Sequence, residues 1–206
     1  TGMLKIVSAE FIKGAINSKQ FPQIGVPEFA FFGRSNAGKS SLINMLLGRK
    51  QLVKTGSRPG MTREINFFIV NRDAVKKTCG KTFCVADLPG YGFAQVSDTV
   101  RNRIDRMLYA YCTARPELKT VFFLMDIRRD PTETERNTLS FFKEQGIETV
   151  LTATKTDKIS KNEQLKRLTS LAAFFERSQE NIVLTSASKN AGREQLLNHI
   201  AGYLEA

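Results

Sequence analysis

The 206-residue chain, 41% hydrophobic, is long enough for one sizeable domain with a proper core and leaves little room for a second. Its 31 Lys and Arg against 20 Asp and Glu give a net charge of +11, a balance that points to a polyanionic partner, nucleic acid first, over the plainer reading of scattered surface lysines. Cys79, Cys84 and Cys112 form no C-x-x-C pair, which fits a reducing cytoplasm and suggests neither a disulfide framework nor a zinc site; the apolar run Val121 to Met125 is too short to span a bilayer, and no charged-then-apolar leader opens the chain.

Thr1 and Gly2 precede Met3 and are set aside. Residues up to 27 are expected to form an N-terminal extension, a helix or a strand, packed on a single domain spanning 28–206. The first predicted strand is EFAFFG, 28–33. It runs into GRSNAGKS, 33–40, which satisfies G-x-x-x-x-G-K-[ST] and opens a predicted helix over 39–47. That context is the one a phosphate-binding loop requires. Gly33 and Gly38 allow amides to point at phosphate oxygens, the loop residues Arg34, Ser35, Asn36 and Ala37 carry that backbone, and the helix N-terminus favours the anion. Lys39 is expected to reach the β and γ phosphates and Ser40 to bind Mg²⁺.

Next comes SRPGMTRE, 57–64, before the strand INFFIV, 65–70. The threonine that completes a Mg²⁺ shell in the triphosphate state should lie here. Thr62 is preferred over Thr55 because it sits immediately before the strand, with Gly60, Met61, Arg63 and Glu64 as its neighbours in the first switch. INFFIV and TFCVAD, 82–87, are joined by polar and basic residues and read as an antiparallel hairpin. Asp87, Leu88, Pro89 and Gly90 then form D-x-x-G. Asp87 is placed to hold Mg²⁺ through its water shell, and the Gly90 amide to meet the γ-phosphate. Tyr91 follows, where Ras-type switches carry the glutamine that orients the attacking water. A phenol cannot replace the amide's paired donor and acceptor, so Tyr91 is read as packing beside the switch.

A helix is predicted over 97–114, then TVFFLMD, 120–126, as a strand. Asp130-Pro131 is read as the cap and first residue of a helix over 131–145 that stops before Gly146. After the strand TVLTAT, 149–154, comes Thr154-Lys155-Thr156-Asp157, matching [NT]-K-x-D. The Asp157 carboxylate accepts from guanine N1–H and the 2-amino group, whereas adenine presents a lone pair at N1, a mismatch that rejects it. Lys155 lies along the purine plane and braces the phosphate loop. A helix over 160–178 and the strand NIVLTS, 181–186, follow. Thr185, Ser186, Ala187 and Ser188 supply the remaining wall, with a backbone amide facing the guanine oxygen. A last helix over 191–204 turns Leu196, Leu197 and Ile200 inward.

Short apolar strands alternating with amphipathic helices make this an α/β chain. The expected architecture is a three-layer P-loop NTPase of the small G-domain type, with a six-stranded, mostly parallel sheet, one antiparallel strand and helices on both faces.

The motif order resembles the translation-factor-related GTPases. GRSNAGKSSLIN, SRPGMTREINFF, DLPGYGFA and TKTDK together look like the EngB/YihA family of bacterial GTPases, in the TrmE-Era-EngA-YihA-septin-like superfamily, from about residue 5 onward. That resemblance implies GTP binding with Mg²⁺, a role in assembling the large ribosomal subunit, and a requirement for normal cell division and septation. It also places the chain among GTPases in which a hydrophobic residue, here Tyr91, replaces the catalytic glutamine. Catalysis then rests on Lys39, Thr62, Mg²⁺ and the loop amides, with the missing charge supplied either by a potassium ion that Asn36 binds in place of an arginine finger or by the ribosomal particle. Met61, where the family often has a basic residue, Arg63, where it often has Gln, and the basic hairpin at 71–81 depart from the family pattern. The expected partner is ribosomal RNA or a large-subunit precursor, met by Lys76, Lys77 and Lys81 or by Arg101, Arg103 and Arg106. The chain is expected to be a cytoplasmic monomer without room for an appended RNA-binding domain. A different reading is a non-enzymatic interaction protein that keeps GTP as a structural ligand.

Overall fold

The computed structural model describes residues 4–53, 64–72, 81–92 and 97–205. Thr55, Gly60, Met61, Thr62, Arg63, Lys76, Lys77 and Cys79 lie outside them. Among the described residues seven strands form one sheet: β1 (Ala9–Ala15), β2 (Glu28–Gly33), β3 (Ile65–Val70), β4 (Phe83–Asp87), β5 (Leu118–Asp126), β6 (Glu148–Thr154) and β7 (Ile182–Leu184). Their spatial order is β1-β3-β4-β2-β5-β6-β7. The helices of the described residues are α1 (Lys39–Leu47), α2 (Asp98–Ala114), α3 (Glu133–Glu144), α4 (Lys161–Phe174) and α5 (Arg193–Glu205).

The α/β architecture is the expected one, and β3 is the single strand that runs against the rest, antiparallel to both β1 and β4. The sheet has seven strands rather than six because the N-terminal segment is a strand. Its sequence, AEFIKGA, hid that. β1 is an edge strand with a register shift between Phe11 and Lys13, and an extra residue there breaks the period-2 alternation that marks a strand in sequence.

Alternating side chains of the central strands feed two cores. Phe29 and Phe31 of β2 with Phe122 and Leu124 of β5 pack under α1 and α5, against Leu42, Ile43, Leu196 and Ile200. Ala30 and Phe32 with Val121 and Phe123 face α2, α3 and α4, against Met107, Tyr111, Phe142 and Leu171. Strands apolar on both faces are the signature of a sheet covered on both sides, and their sequence reads as near-continuous apolar runs for that reason.

The start of α3 differs from the expected Asp130-Pro131. Thr132 is the N-cap, and Glu135 closes a capping box by accepting from the Thr132 amide at 2.7 Å and from its hydroxyl. Thr-x-x-Glu satisfies two groups at the helix end reciprocally, an arrangement Asp130 with proline at the first position does not provide. α4 ends at Phe174, short of 178, where Glu176 takes a left-handed backbone (φ 52°) and the Arg177 amide returns to the Ala172 carbonyl at 2.9 Å.

Candidate nucleotide site

Parallel strands feeding helices place their carboxyl ends on one edge, where α/β proteins bind ligands. The phosphate loop connects β2 to α1 on that edge. Asn36 (φ 64°) and Gly38 (φ 90°) both take left-handed backbone, and Gly38 is the N-cap of α1. No side chain caps α1 and its first turn carries no acid, so its amides are free to meet an anion. Ala37 is buried, Ser35, Lys39 and Ser40 are half-buried, and Arg34 and Asn36 are exposed at the mouth.

Asp87, at the end of β4, is 2% exposed and pairs with the Lys39 ammonium across the loop. Leu88 and Pro89 are buried behind it. Gly90 passes so close to the phosphate loop that a side chain could not fit: a Cβ there would lie 3.0 Å from the Gly33 carbonyl oxygen and 3.2 Å from the Ser35 nitrogen. Tyr91 is half-buried beside the loop. Its ring packs beside Phe32, centroids 5.4 Å apart, and its hydroxyl donates to Glu135 at 2.6 Å. The position that a water-orienting glutamine would occupy therefore sends its side chain inward.

At the other end of the edge, Thr154 is buried and donates from its hydroxyl to the Ala37 and Met125 carbonyls, at 2.5 and 3.1 Å. Lys155, with left-handed backbone (φ 61°), extends its ammonium to the Asn36 carbonyl at 2.6 Å and to Asp126 at 3.1 Å. The loop after β6 is thus tied to the phosphate loop. Thr156 is buried, its hydroxyl 3.1 Å from the Thr185 carbonyl, and Thr185 in turn donates its own hydroxyl to Ala153. Asp157 is braced by the Ser186 hydroxyl at 2.7 Å, which itself lies 3.1 Å from Ser188. Those hydroxyls, Ser186 foremost, hold the Asp157 carboxyl down to about 2, so it is ionised and an acceptor only. A cavity of about 200 Å³ opens between Gly38, Leu42, Lys155, Asp157, Ala187 and Ser188.

Glu64 lies just before β3, and its carboxylate packs over Gly14 of β1. The basic residues Arg101, Arg103 and Arg106 are exposed on α2, and Lys81 is exposed with its ammonium on the Leu204 carbonyl. Among the described residues no helix is long and apolar enough to cross a membrane. A surface concavity of about 1060 Å³ lies elsewhere, around Glu148, Arg177 and His199, and is lined by none of the motif residues.

Comparison with known proteins agrees with the motif order. The profile of the 50S ribosome-binding GTPase family matches residues 28–155. A probable GTP-binding protein EngB of Treponema denticola is 57% identical over 209 residues, covering 96% of this chain and 99% of the relative. The chain belongs to the EngB family of GTP-binding proteins. Another EngB, from Syntrophotalea carbinolica, is 41% identical over 197 residues, 96% of this chain and 91% of the relative. Among solved structures, a probable GTP-binding protein EngB is similar with a TM-score of 0.64 and 25% identity, over 86% of this chain and 98% of that one. Aquifex aeolicus Era, solved with GDP and aluminium fluoride, shares the fold at a TM-score of 0.68 and 24% identity, over 87% of this chain and 57% of that one.

Asp126 and Glu135 of this EngB-type site have no motif of their own. Asp126 ends β5 and receives Arg128 at 2.9 and 2.6 Å as well as Lys155. Burial opposes its charge, but Arg128 and Lys155 hold its carboxyl well below the usual range. Glu135 meets Tyr91 across a separation of 44 residues. An acid at the end of an apolar run hints at Asp126; only Thr-x-x-Glu hints at Glu135, and it signals a cap rather than a partner for Tyr91.

Proposed function

We propose that the chain binds GTP with Mg²⁺, hydrolyses it slowly, and acts in the cytoplasm as a monomeric switch in large ribosomal subunit assembly, with normal cell division and septation depending on it. One observation carries the nucleotide part. Asp157, fixed as an anionic acceptor by Ser186, is linked through Lys155 to the carbonyl of Asn36 in the phosphate loop. A base reader and a phosphate cradle are thereby held at one spacing, as a purine nucleotide requires. The nucleotide contacts proposed are Gly33 to Ser40 for the phosphates, Gly60 to Glu64 for the first switch, Asp87 to Gly90 for the γ-phosphate, and Thr154 to Asp157 with Thr185 to Ser188 for the base.

The donors fit a magnesium ion. Asp87 is a buried carboxylate whose charge Lys39 balances, and Ser40 stands one residue further along α1. When phosphates draw Lys39, Asp87 is left to serve a hard cation, together with Ser40 and Thr62. Magnesium would supply charge neutralisation at the transferring phosphoryl group. With Tyr91 turned inward, the catalytic contributions left to this chain are the Lys39 charge, the loop amides and Asn36, exposed at the mouth where it can offer an oxygen to a potassium ion. GTP hydrolysis should be faster in potassium than in matched sodium buffer, by about tenfold for a contribution of roughly 1.4 kcal/mol. Equal rates would remove Asn36 from catalysis.

Ribosomal RNA or a precursor particle is the proposed partner, with Arg103 and Arg106 on one exposed face of α2 as contacts. Equilibrium binding decides the reading: GDP and GTP should compete for the site while ATP does not. Binding to large-subunit particles should be salt-sensitive and stronger with a non-hydrolysable GTP analogue. Particle binding that ignores the nucleotide would overturn the switch. The inward packing of Tyr91 also favours a second reading, in which GTP is a structural ligand. A single-turnover assay with particles present separates the two, since a structural ligand stays unhydrolysed for hours.

A further inference from the structure

The Tyr91–Glu135 contact joins two elements that neither motif nor topology requires to touch. On the phosphate side the backbone of Tyr91 extends the parallel pairing of β2 and β4 past the strand ends: its amide donates to Gly33 at 3.3 Å and its carbonyl accepts from Ser35 at 2.9 Å. On the inner side its ring packs against both Phe32 and Phe123, at 5.4 and 6.3 Å, two rings that also touch each other. Its hydroxyl ends on one oxygen of Glu135, while the other oxygen of the same carboxylate caps α3 through Thr132. Glu135 is 3% exposed. A carboxylate so buried depends on its donors, and Tyr91 is one of the three the structure gives it. Burial, and then the bond to Glu135, push the Tyr91 phenol up, so it remains a donor throughout the physiological range.

We propose that Tyr91 is a positioning residue for the terminal phosphate: clamped between the phosphate loop and Glu135, it holds the Gly90 amide at the loop's mouth and couples triphosphate recognition to the cap of α3. This rests on the reading of the site as a GTP site. A diphosphate is held by the phosphate loop and Lys39 and has no γ-phosphate to offer Gly90. A triphosphate gains a donor that is already in place. The clamp therefore acts on the difference between the two nucleotides rather than on nucleotide binding as such. It also gives the residue at the glutamine position a task that needs no contact with the attacking water.

The test is equilibrium binding of GDP and of a non-hydrolysable GTP analogue to the full chain. Tyr91→Phe removes only the hydroxyl and should weaken the triphosphate analogue about tenfold or more, the scale of one lost hydrogen bond to a charged group, while GDP affinity stays within about twofold. Glu135→Ala should show the same selective loss, and Tyr91→Phe in that background should add nothing further. A purely structural role would lower thermal stability and shift both nucleotides alike. Equal losses for the two nucleotides, no loss for either, or additive losses in the double variant would each overturn the coupling. Failure of the wild-type chain to bind either guanine nucleotide would instead overturn the GTP reading.

Discussion

Two buried ion pairs sit at opposite ends of the same sheet and are built differently. At the amino edge Glu28, the first residue of β2, receives Arg115 through two nitrogens at 2.9 and 2.7 Å and the Tyr111 hydroxyl at 2.5 Å. The guanidinium also lies against the Phe21 and Phe67 rings and donates to the Pro22 carbonyl. At the carboxyl edge Lys39 and Asp87 meet through one nitrogen and one oxygen. The first pair leaves 4% and 1% of its side chains exposed; the second leaves 13% of Lys39 and 3% of Asp87. A two-pronged pair whose carboxylate takes three hydrogen bonds has nowhere better to go. A single contact beside the uncapped first turn of α1 is free to exchange its partner for a phosphate and a cation. Satisfaction, more than burial, separates the charge pair that holds the fold from the one that is available for work.

Removing Glu28 should give the largest effect and should touch only stability. Glu28→Gln leaves Arg115 buried without its counter-charge, which costs about 3–5 kcal/mol and should lower the melting temperature by roughly 10 °C in a chain of this size. Because Glu28 lies five residues, about 16 Å along the strand, from the loop, GDP affinity of the folded variant should stay within about twofold. Thermal melts with and without GDP check both halves. A large loss of affinity would mean that the amino edge is not independent of the site.

The carboxyl edge should behave the opposite way. Asp157→Asn replaces an acceptor pair with one donor and one acceptor. Guanine then meets a donor where its 2-amino group needs an acceptor, whereas xanthine, with a carbonyl at that carbon, is matched. Guanine affinity should fall about a hundredfold, near 2.7 kcal/mol, xanthosine diphosphate should gain, and the melting temperature of the free chain should move by less than about 2 °C, since the amide keeps an oxygen for the Ser186 hydroxyl. Competition binding with the two diphosphates checks it. A melting temperature that falls as far as in Glu28→Gln would show that both edges are structural.

How much of this could be read beforehand follows from how local each feature is. The phosphate loop, Asp87 to Gly90 and Thr154 to Asp157 are contiguous, because each needs several backbone groups in fixed relative positions, and the sequence displays them as motifs. The central strands were legible because burial on both faces makes them apolar throughout. β1 was not, since a bulged edge strand loses its alternation. Nor were Glu28 with Arg115 or Tyr91 with Glu135, whose partners are 87 and 44 residues apart and are chosen by packing. Thr132 at the start of α3 lay between these cases: the capping box was present in the sequence, but the proline beside it was the stronger local signal.

The smallest effect returns to the amino edge and to His199, the one histidine in the chain. Its ring packs edge-on against Phe122 at 5.6 Å and beside Tyr203 at 5.7 Å, and its Nε2 lies 3.1 Å from the Thr120 hydroxyl and 3.6 Å from Glu148. Glu148 also accepts the Tyr203 hydroxyl. Burial lowers the His199 pKa below the ordinary value of 6.5, and the Glu148 charge only partly offsets it. Above that value the imidazole is neutral in both states and contributes no pH dependence. As the pH falls below it, the unfolded chain takes up a proton that the folded chain resists, so stability declines until the lower folded value is reached. Carboxylates titrate mainly below this window, so a modest decline between pH 7 and 5.5 belongs to this one ring. His199→Asn should flatten it, as seen in denaturant midpoints across that range. GDP affinity should stay level through the same window, because Asp157 titrates far below it. A slope that survives His199→Asn would show that a group other than His199 takes up the proton.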